Sequence, residues 1–220
     1  LNEVGQEVPN HFQWYGELID KIFGKVVPTG IEASSFIIKE PIGVVGLVVP
    51  WNFPLLMAAW KVAPSLAAGC SVILKPAEQT SLSAIKFASL AAEAGIPDGV
   101  LNVLTGHGGV GESIGRHNDI DAVSFTGSTE VGALFMRYSG ESNLKTIGLE
   151  MGGKSPFIIL DDAKIDDNLI EHAVTSAFWN GGQNCSANMR QIVDKKVKEE
   201  FLHKVIEKTK NLKVGKPLDP

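Results

Sequence analysis

The sequence predicts an α/β fold organised around a doubly wound parallel sheet. Continuous runs rich in β-branched residues read as strands buried on both faces. Helix-length segments separate these runs, and Gly, Pro or a small polar residue marks most of the joins. The resulting order of strand and helix is that of βαβ units, which require a parallel sheet with helices laid against it.

Taken in order, residues 13–24 read as the end of a helix. KVVPTGIEASSFIIKE (25–40) has the pattern of two short strands around a Pro-Thr-Gly turn, an extended arm outside the sheet. GVVGLVVPW (43–51) is the first buried strand. Pro54 suits the first turn of a helix over 54–68, and Gly69 supplies its stop. SVILKP (71–76) is the second strand. Ser81 is expected to cap a helix that Gly95 ends. VLNVLTG (100–106), AVSFTG (122–127) and LKTIGLEM (144–151) supply three more strands. The first two of these lead into Gly-rich turns and helices. The Gly152-Gly153 pair marks a change of unit. Beyond it lie a strand at 156–160, a helix over 168–180 started by Asp166 or Asp167, and a last helix over 197–210. That helix gathers Val197, Phe201, Leu202, Val205 and Ile206 on one face, with its Lys and Glu residues in solvent.

Composition bounds the function. The 220 residues carry 20 Lys+Arg against 25 Asp+Glu, a net charge of −5, and so lack the concentrated basic field that nucleic acid requires. At 44% hydrophobic and 20% charged, the chain has the material for a core and not the composition of a disordered one. Cys70 and Cys185 are the only cysteines, too few for a disulfide framework and suited to a reducing compartment. The first ten residues are too polar for a signal peptide. The apolar runs at 42–51 and 53–60, broken by Asn52, fall short of the ~20 residues that span a bilayer. No nucleic-acid or membrane partner, no metal and a cytoplasmic location are expected.

Gly106, Gly108 and Gly111 match a dinucleotide GxGxxG, but no acidic residue follows at about 20 positions, since Asp119 and Asp121 come too early. Their most economical reading is a close-packed turn at a nucleotide's edge. Cys185 lies in a loop of small and polar residues. A thiol is intrinsically nucleophilic. Cys70, in AAGCS, reads as a structural thiol. His11, His107, His117, His172 and His203 are scattered, and they read as surface or packing residues. Asn52 interrupts an apolar stretch, and a buried amide must find a partner. Glu150, among apolar residues and two glycines, is expected to be buried. Burial would raise its pKa and poise it as a base.

PWNFP (50–54), KPAEQT (75–80), FTGSTEVG (125–132), LEMGGKSP (149–156) and GQNCSANMR (182–190) stand in an order and spacing that resemble the NAD(P)-dependent aldehyde dehydrogenase superfamily. The resemblance runs through essentially the whole chain. It implies four segments: the end of an N-terminal helical region (1–24), an oligomerisation hairpin (25–41), a Rossmann-like NAD-binding domain (42–151) and the first part of an α/β catalytic domain (152–220). It makes Cys185 the nucleophile, Asn52 an oxyanion donor beside the Cys185 backbone N–H, and Glu150 the base that activates water to hydrolyse a thioester. Family branches that pass the acyl group to coenzyme A tend to lack this acid, so Glu150 favours a free carboxylic acid product. Lys75 and Glu78 resemble the ligands of the adenosine ribose. A carboxylate there accepts from a free 2′-hydroxyl and repels a 2′-phosphate, so Glu78 favours NAD over NADP. Gly127 ends a strand and Ser128 caps the next helix, whose N-terminus attracts pyrophosphate; Trp51 lines the same crevice. Phe53, Met57, Trp60, Phe178 and Trp179 form a substrate funnel by family analogy, with core packing as the competing reading of each. The polar neighbours Asn184 and Ser186 suggest an aldehyde with a polar or amine-bearing tail.

The resemblance further implies a homodimer or homotetramer. It also implies a piece of a longer chain, entering after the N-terminal segment and ending within the catalytic domain before a later Glu-x-Phe-Gly-Pro motif, and inactive by itself. A non-catalytic nucleotide-binding or structural relative is the alternative from another functional class.

Overall fold

A computed structural model describes residues 3–216; the expectations about the chain ends that rest on 1–2 and 217–220 lie outside the described residues. The chain divides after Met151 into two compact units. The first begins with α1 (Val8–Leu18) and an antiparallel hairpin of β1 (Lys25–Val27) and β2 (Ser35–Ile37). Then β3 (Val44–Val48), α2 (Pro54–Ala67), β4 (Ser71–Lys75), α3 (Ser81–Glu93) and β5 (Leu101–Val103) alternate. They are followed by α4 (Gly108–Arg116), β6 (Ala122–Gly127), α5 (Thr129–Gly140) and β7 (Thr146–Met151). The helical segment, the hairpin and the sheet therefore belong to one compact unit, in which α1 packs on α2.

The five strands form a parallel sheet in the order β5-β4-β3-β6-β7. Chain order runs outward from β3 to β4 and β5, then returns to its other side at β6. The alternation along β3 explains its unbroken apolar run. Val45, Leu47 and Val49 enter the core beneath α2 and α3, while Val44 and Val48 join Ile114, Val123, Phe125 and Phe135 beneath α4 and α5. Between them Gly46 makes room, since a Cβ there would lie 2.5 Å from Ile114 Cγ2.

Local differences from the sequence expectations have physical causes. Ser81 is the first helical residue of α3, preceded by a short 3₁₀ turn (Glu78–Thr80), and no side chain caps that helix. Ser128 and Asp166 do cap: Ser128 Oγ accepts from Val131 N at 3.3 Å, and Asp166 Oδ1 from Leu169 N at 3.1 Å. Strand β7 starts two residues late because Leu144 takes a left-handed φ of 60° and Lys145 turns inward. The Lys145 ammonium is buried and donates to Gly115 O at 2.7 Å and Ser142 Oγ at 2.9 Å. It thus ties the ends of α4 and α5 to the start of β7.

The second unit holds β8 (Pro156–Ile159) parallel to β9 (Arg190–Val193), with α6 (Asp167–Phe178) and α7 (Lys198–Lys210). Ile159, Ile165, Ile170, Val174 and Phe201 form its core. Strand β9 is not visible in the sequence pattern: three of its four residues are exposed, so it lacks the apolar run that marks the other strands.

Lys145 sets a stability test. Lys145→Met removes both donors and leaves the buried Gly115 carbonyl unpaired, a loss of about 1–3 kcal/mol, read as a lower denaturation midpoint. Burial lowers the Lys145 pKa, so between the lowered native value and the ordinary 10.5 the unfolded chain binds more protons than the native one. Stability of the parent protein relative to the variant should therefore rise with pH across that window.

Candidate functional site

The carboxyl ends of β3, β4 and β6 surround a cleft of about 450 Å³, in the size range of ligand sites. It lies where the strand order reverses, the crevice that open parallel sheets use for ligands. Val49, Pro50 and Trp51 form one wall, Lys75 and Glu78 another, and Thr126, Gly127 and Ser128 a third. Gly127 is required there, because a Cβ would lie 2.5 Å from the Phe125 ring. Ser128, capping α5, sets that helix's N-terminal N–H groups at the cleft, and Gly108 and Gly111 bring the start of α4 to its edge. Two helix N-termini attract negative charge.

Lys75 is 5% exposed. Its Nζ donates to Pro76 O at 3.1 Å and lies 3.8 Å from Glu78 Oε2. The other carboxylate oxygen of Glu78 is 3.8 Å from His107 Nδ1. A backbone hydrogen bond in its own turn holds the Glu78 carboxyl below the usual range, and Lys75 and His107 pull it the same way. This donor and acceptor set fits a nucleotide: acceptors and a cation for a ribose, and helix N-termini for phosphate.

Asn52 is half-buried in the turn between β3 and α2. Trp51 is half exposed at the cleft. Phe53 and Met57 are buried, packed with Val45, Leu47 and Val62. Trp60 is half exposed and stacks on His11 of α1, with ring centroids 5.8 Å apart. Phe178 and Trp179 are half exposed, at the end of α6 in the second unit.

Glu150 is exposed, which corrects the burial expected from its apolar neighbours. The reason is its place on β7, the outer strand, which pairs with β6 alone. A second cleft of about 370 Å³ joins Glu150 to Lys61, Trp60 and Ser124. Lys61 is 9% exposed and donates to Ser124 Oγ at 2.7 Å. Burial pushes its ammonium below the ordinary range, while the Glu150 carboxylate pulls it back up. Sequence reasoning missed Lys61. The signal was a single Lys within the apolar helix PLLMAAWKVAPSLA.

In the second unit, residues 180–182 all take left-handed φ values, between 53° and 76°, and release the chain from α6 into the turn bearing Cys185. That turn is pinned on its far side. Ala187 is buried and its N–H donates to Asn184 O, while Asn188 donates to Ser176 through both backbone and side chain. Cys185 is exposed, whereas Cys70 is buried in the first unit's core. Asn184 Oδ1 accepts from Ser186 N at 3.2 Å and Ser186 Oγ at 3.0 Å, and lies 3.9 Å from Cys185 Sγ. Ser186 is thus engaged by its neighbour Asn184 through the amide oxygen.

Comparison with known proteins agrees with this arrangement. Residues 2–220 match the Aldehyde dehydrogenase family. The chain is 52% identical over 215 residues to an aminoacetaldehyde dehydrogenase of Pseudomonas aeruginosa, covering 97% of this chain and 43% of the relative. It is 47% identical over 209 residues to the NADP/NAD-dependent aldehyde dehydrogenase PuuC of Escherichia coli, covering 94% and 42%. A solved indole-3-acetaldehyde dehydrogenase complexed with NAD+ superimposes with a TM-score of 0.94 at 46% identity, over 96% of this chain and 43% of that one. The chain therefore spans less than half the length of the relatives it matches. With a family match over nearly its whole length and a parallel sheet of the same architecture, the chain belongs to the aldehyde dehydrogenase family.

Proposed function

We propose that the intact protein oxidises an aldehyde to a carboxylic acid with NAD. The observation that carries this reading is the exposed Cys185 thiol on a turn pinned through Ala187 and Asn188. Deprotonated, Cys185 adds to the aldehyde carbonyl, forming a C–S bond and an oxyanion that the Asn52 amide and the Cys185 backbone N–H stabilise. NAD, when bound, supplies the hydride acceptor that turns the thiohemiacetal into a thioester. Glu150 then takes a proton from water as the water's oxygen attacks the thioester carbon, releasing the carboxylic acid and the thiol. The exposure of Glu150 on the outer strand keeps its carboxylate within reach of water.

Lys75 and Glu78 hold the adenosine ribose, and Ser128 with the N-terminus of α5 receives the pyrophosphate. Trp51 lines that cleft, and Trp60, Phe178 and Trp179 border the aldehyde's path. The hairpin serves assembly into a dimer or tetramer. Its paired Val26 and Phe36 are 73% and 66% exposed, a poor use of two large side chains unless another subunit covers them. A cytoplasmic location belongs to the same proposal; among the described residues no helix is long and apolar enough to cross a membrane.

Cys185→Ala should abolish aldehyde-dependent NADH formation in single-turnover assays; retained formation would refute the nucleophile. Glu150→Gln should keep the first turnover but slow steady-state release by roughly a hundredfold or more. Asn52→Ala should cost roughly 10²–10³ in rate. A variant carrying both Val26→Glu and Phe36→Glu should run as a smaller species on size exclusion with light scattering, and an unchanged mass would remove the hairpin from the assembly.

A further inference from the structure

His107 reads as a surface residue in the sequence, and its side chain is 89% exposed. Its position is nonetheless specific. It is the residue before α4, the element that supplies Gly108 and Gly111 to the nucleotide cleft. Its Nδ1 lies 3.8 Å from Glu78 Oε1, while Lys75 Nζ lies 3.8 Å from Glu78 Oε2. The two oxygens of one carboxylate are thus shared between a fixed cation and a titratable one. The choice of cofactor rests on that carboxylate, because it accepts from a free 2′-hydroxyl and repels a 2′-phosphate.

We infer that His107 is a specificity-determining residue for the nucleotide, relaxing the preference for NAD over NADP when its ring is protonated. This inference rests on the cofactor reading above and concerns the same cleft. With the imidazole neutral, Lys75 and Glu78 sum to zero charge, and the carboxylate is available to a ribose hydroxyl. With the imidazole protonated, the trio carries a net positive charge. Glu78 is then drawn toward His107, and a 2′-phosphate meets two cations where it met one.

The other charges around the ring do not reverse this. Glu112, on the cleft side of α4, is paired with Arg116 at 2.8 Å. The one titratable group that α5 brings to the cleft is Tyr138, whose ring lies 4.5 Å from the Arg116 guanidinium carbon.

The test is calorimetric binding of NAD and of NADP to the intact protein at low ionic strength, at about pH 6 and about pH 8, the range over which imidazoles titrate. The 2′-phosphate itself gains a proton near the lower value, so His107→Asn supplies the baseline. In the parent protein the ratio of NADP to NAD dissociation constants should fall from pH 8 to pH 6 by roughly three- to fivefold more than in the variant, the size expected of one exposed charge pair. His107→Lys should keep the pH dependence of His107→Asn, with the ratio roughly three- to fivefold lower than the parent's at pH 8. Equal pH dependence in parent and His107→Asn would overturn the inference, as would an unchanged ratio in His107→Lys. If neither nucleotide bound to any form, the cofactor reading would fail and this inference with it. If NAD bound normally and only the ratio were insensitive to His107, the cofactor reading would stand alone.

Discussion

Because β3 is the middle of five parallel strands and buries residues on both faces, it cannot shift register without moving both halves of the core. Sliding by one residue would exchange the Val45, Leu47, Val49 face for the face on which Gly46 makes room for Ile114. The two neighbours of β3 then fix where the cleft opens. Strand β4 leaves it on one side and β6 on the other, and the helices that follow them depart to opposite faces. The space between these departures is the cleft that Lys75, Glu78 and Ser128 line, so its position follows from the strand order before any of its polar residues are considered.

Three buried lysines in the first unit show how charge is distributed around that frame. Burying an ammonium is unfavourable unless its donors are met. Lys145 meets them with a helix-end carbonyl and a serine hydroxyl, and what it secures is the junction of α4, α5 and β7. Lys61 is held by Ser124 on the face where Glu150 emerges. Lys75 differs from both. It gives a hydrogen bond to Pro76 O, and its nearest carboxylate stands at 3.8 Å, beyond hydrogen-bond length. A cation held this loosely at the wall of a cleft has donor capacity left over, which distinguishes Lys75 from Lys145 even though each is 5% exposed.

The fold class was legible in the sequence because the inner strands β3, β4 and β6 announce themselves as apolar-rich runs, while the edge strands β5 and β7 show only as shorter mixed segments between helices. What was illegible depended on contacts between elements distant in sequence. The exposure of Glu150 follows from the outer position of β7, and no local pattern states which strand lies outermost. Lys61 looks like one interruption of an apolar helix until Ser124, 63 residues away, is seen to accept from it. Phe53 and Met57 carry the same chemistry whether they line a funnel or a core, and their burial beside α2 is not stated by any local pattern.

The two cysteines separate on the same grounds. They share an intrinsic chemistry, and both follow a helix and a glycine, Cys70 after Gly69 and Cys185 three residues after Gly182. At Gly69 the chain turns straight into β4, and Cys70 is carried into the core with Val72 and Leu74. At residues 180–182 three successive left-handed residues form a longer detour. They lift the following residues away from α6 before Ala187 and Asn188 return the chain to it, leaving Cys185 at the crest. A thiol that is exposed but anchored on both sides meets a carbonyl at lower entropic cost than one on a loose loop. Gly181 and Gly182 take the left-handed conformation without steric cost, so the detour that presents the Cys185 sulfur asks for a strained backbone at Asn180 alone.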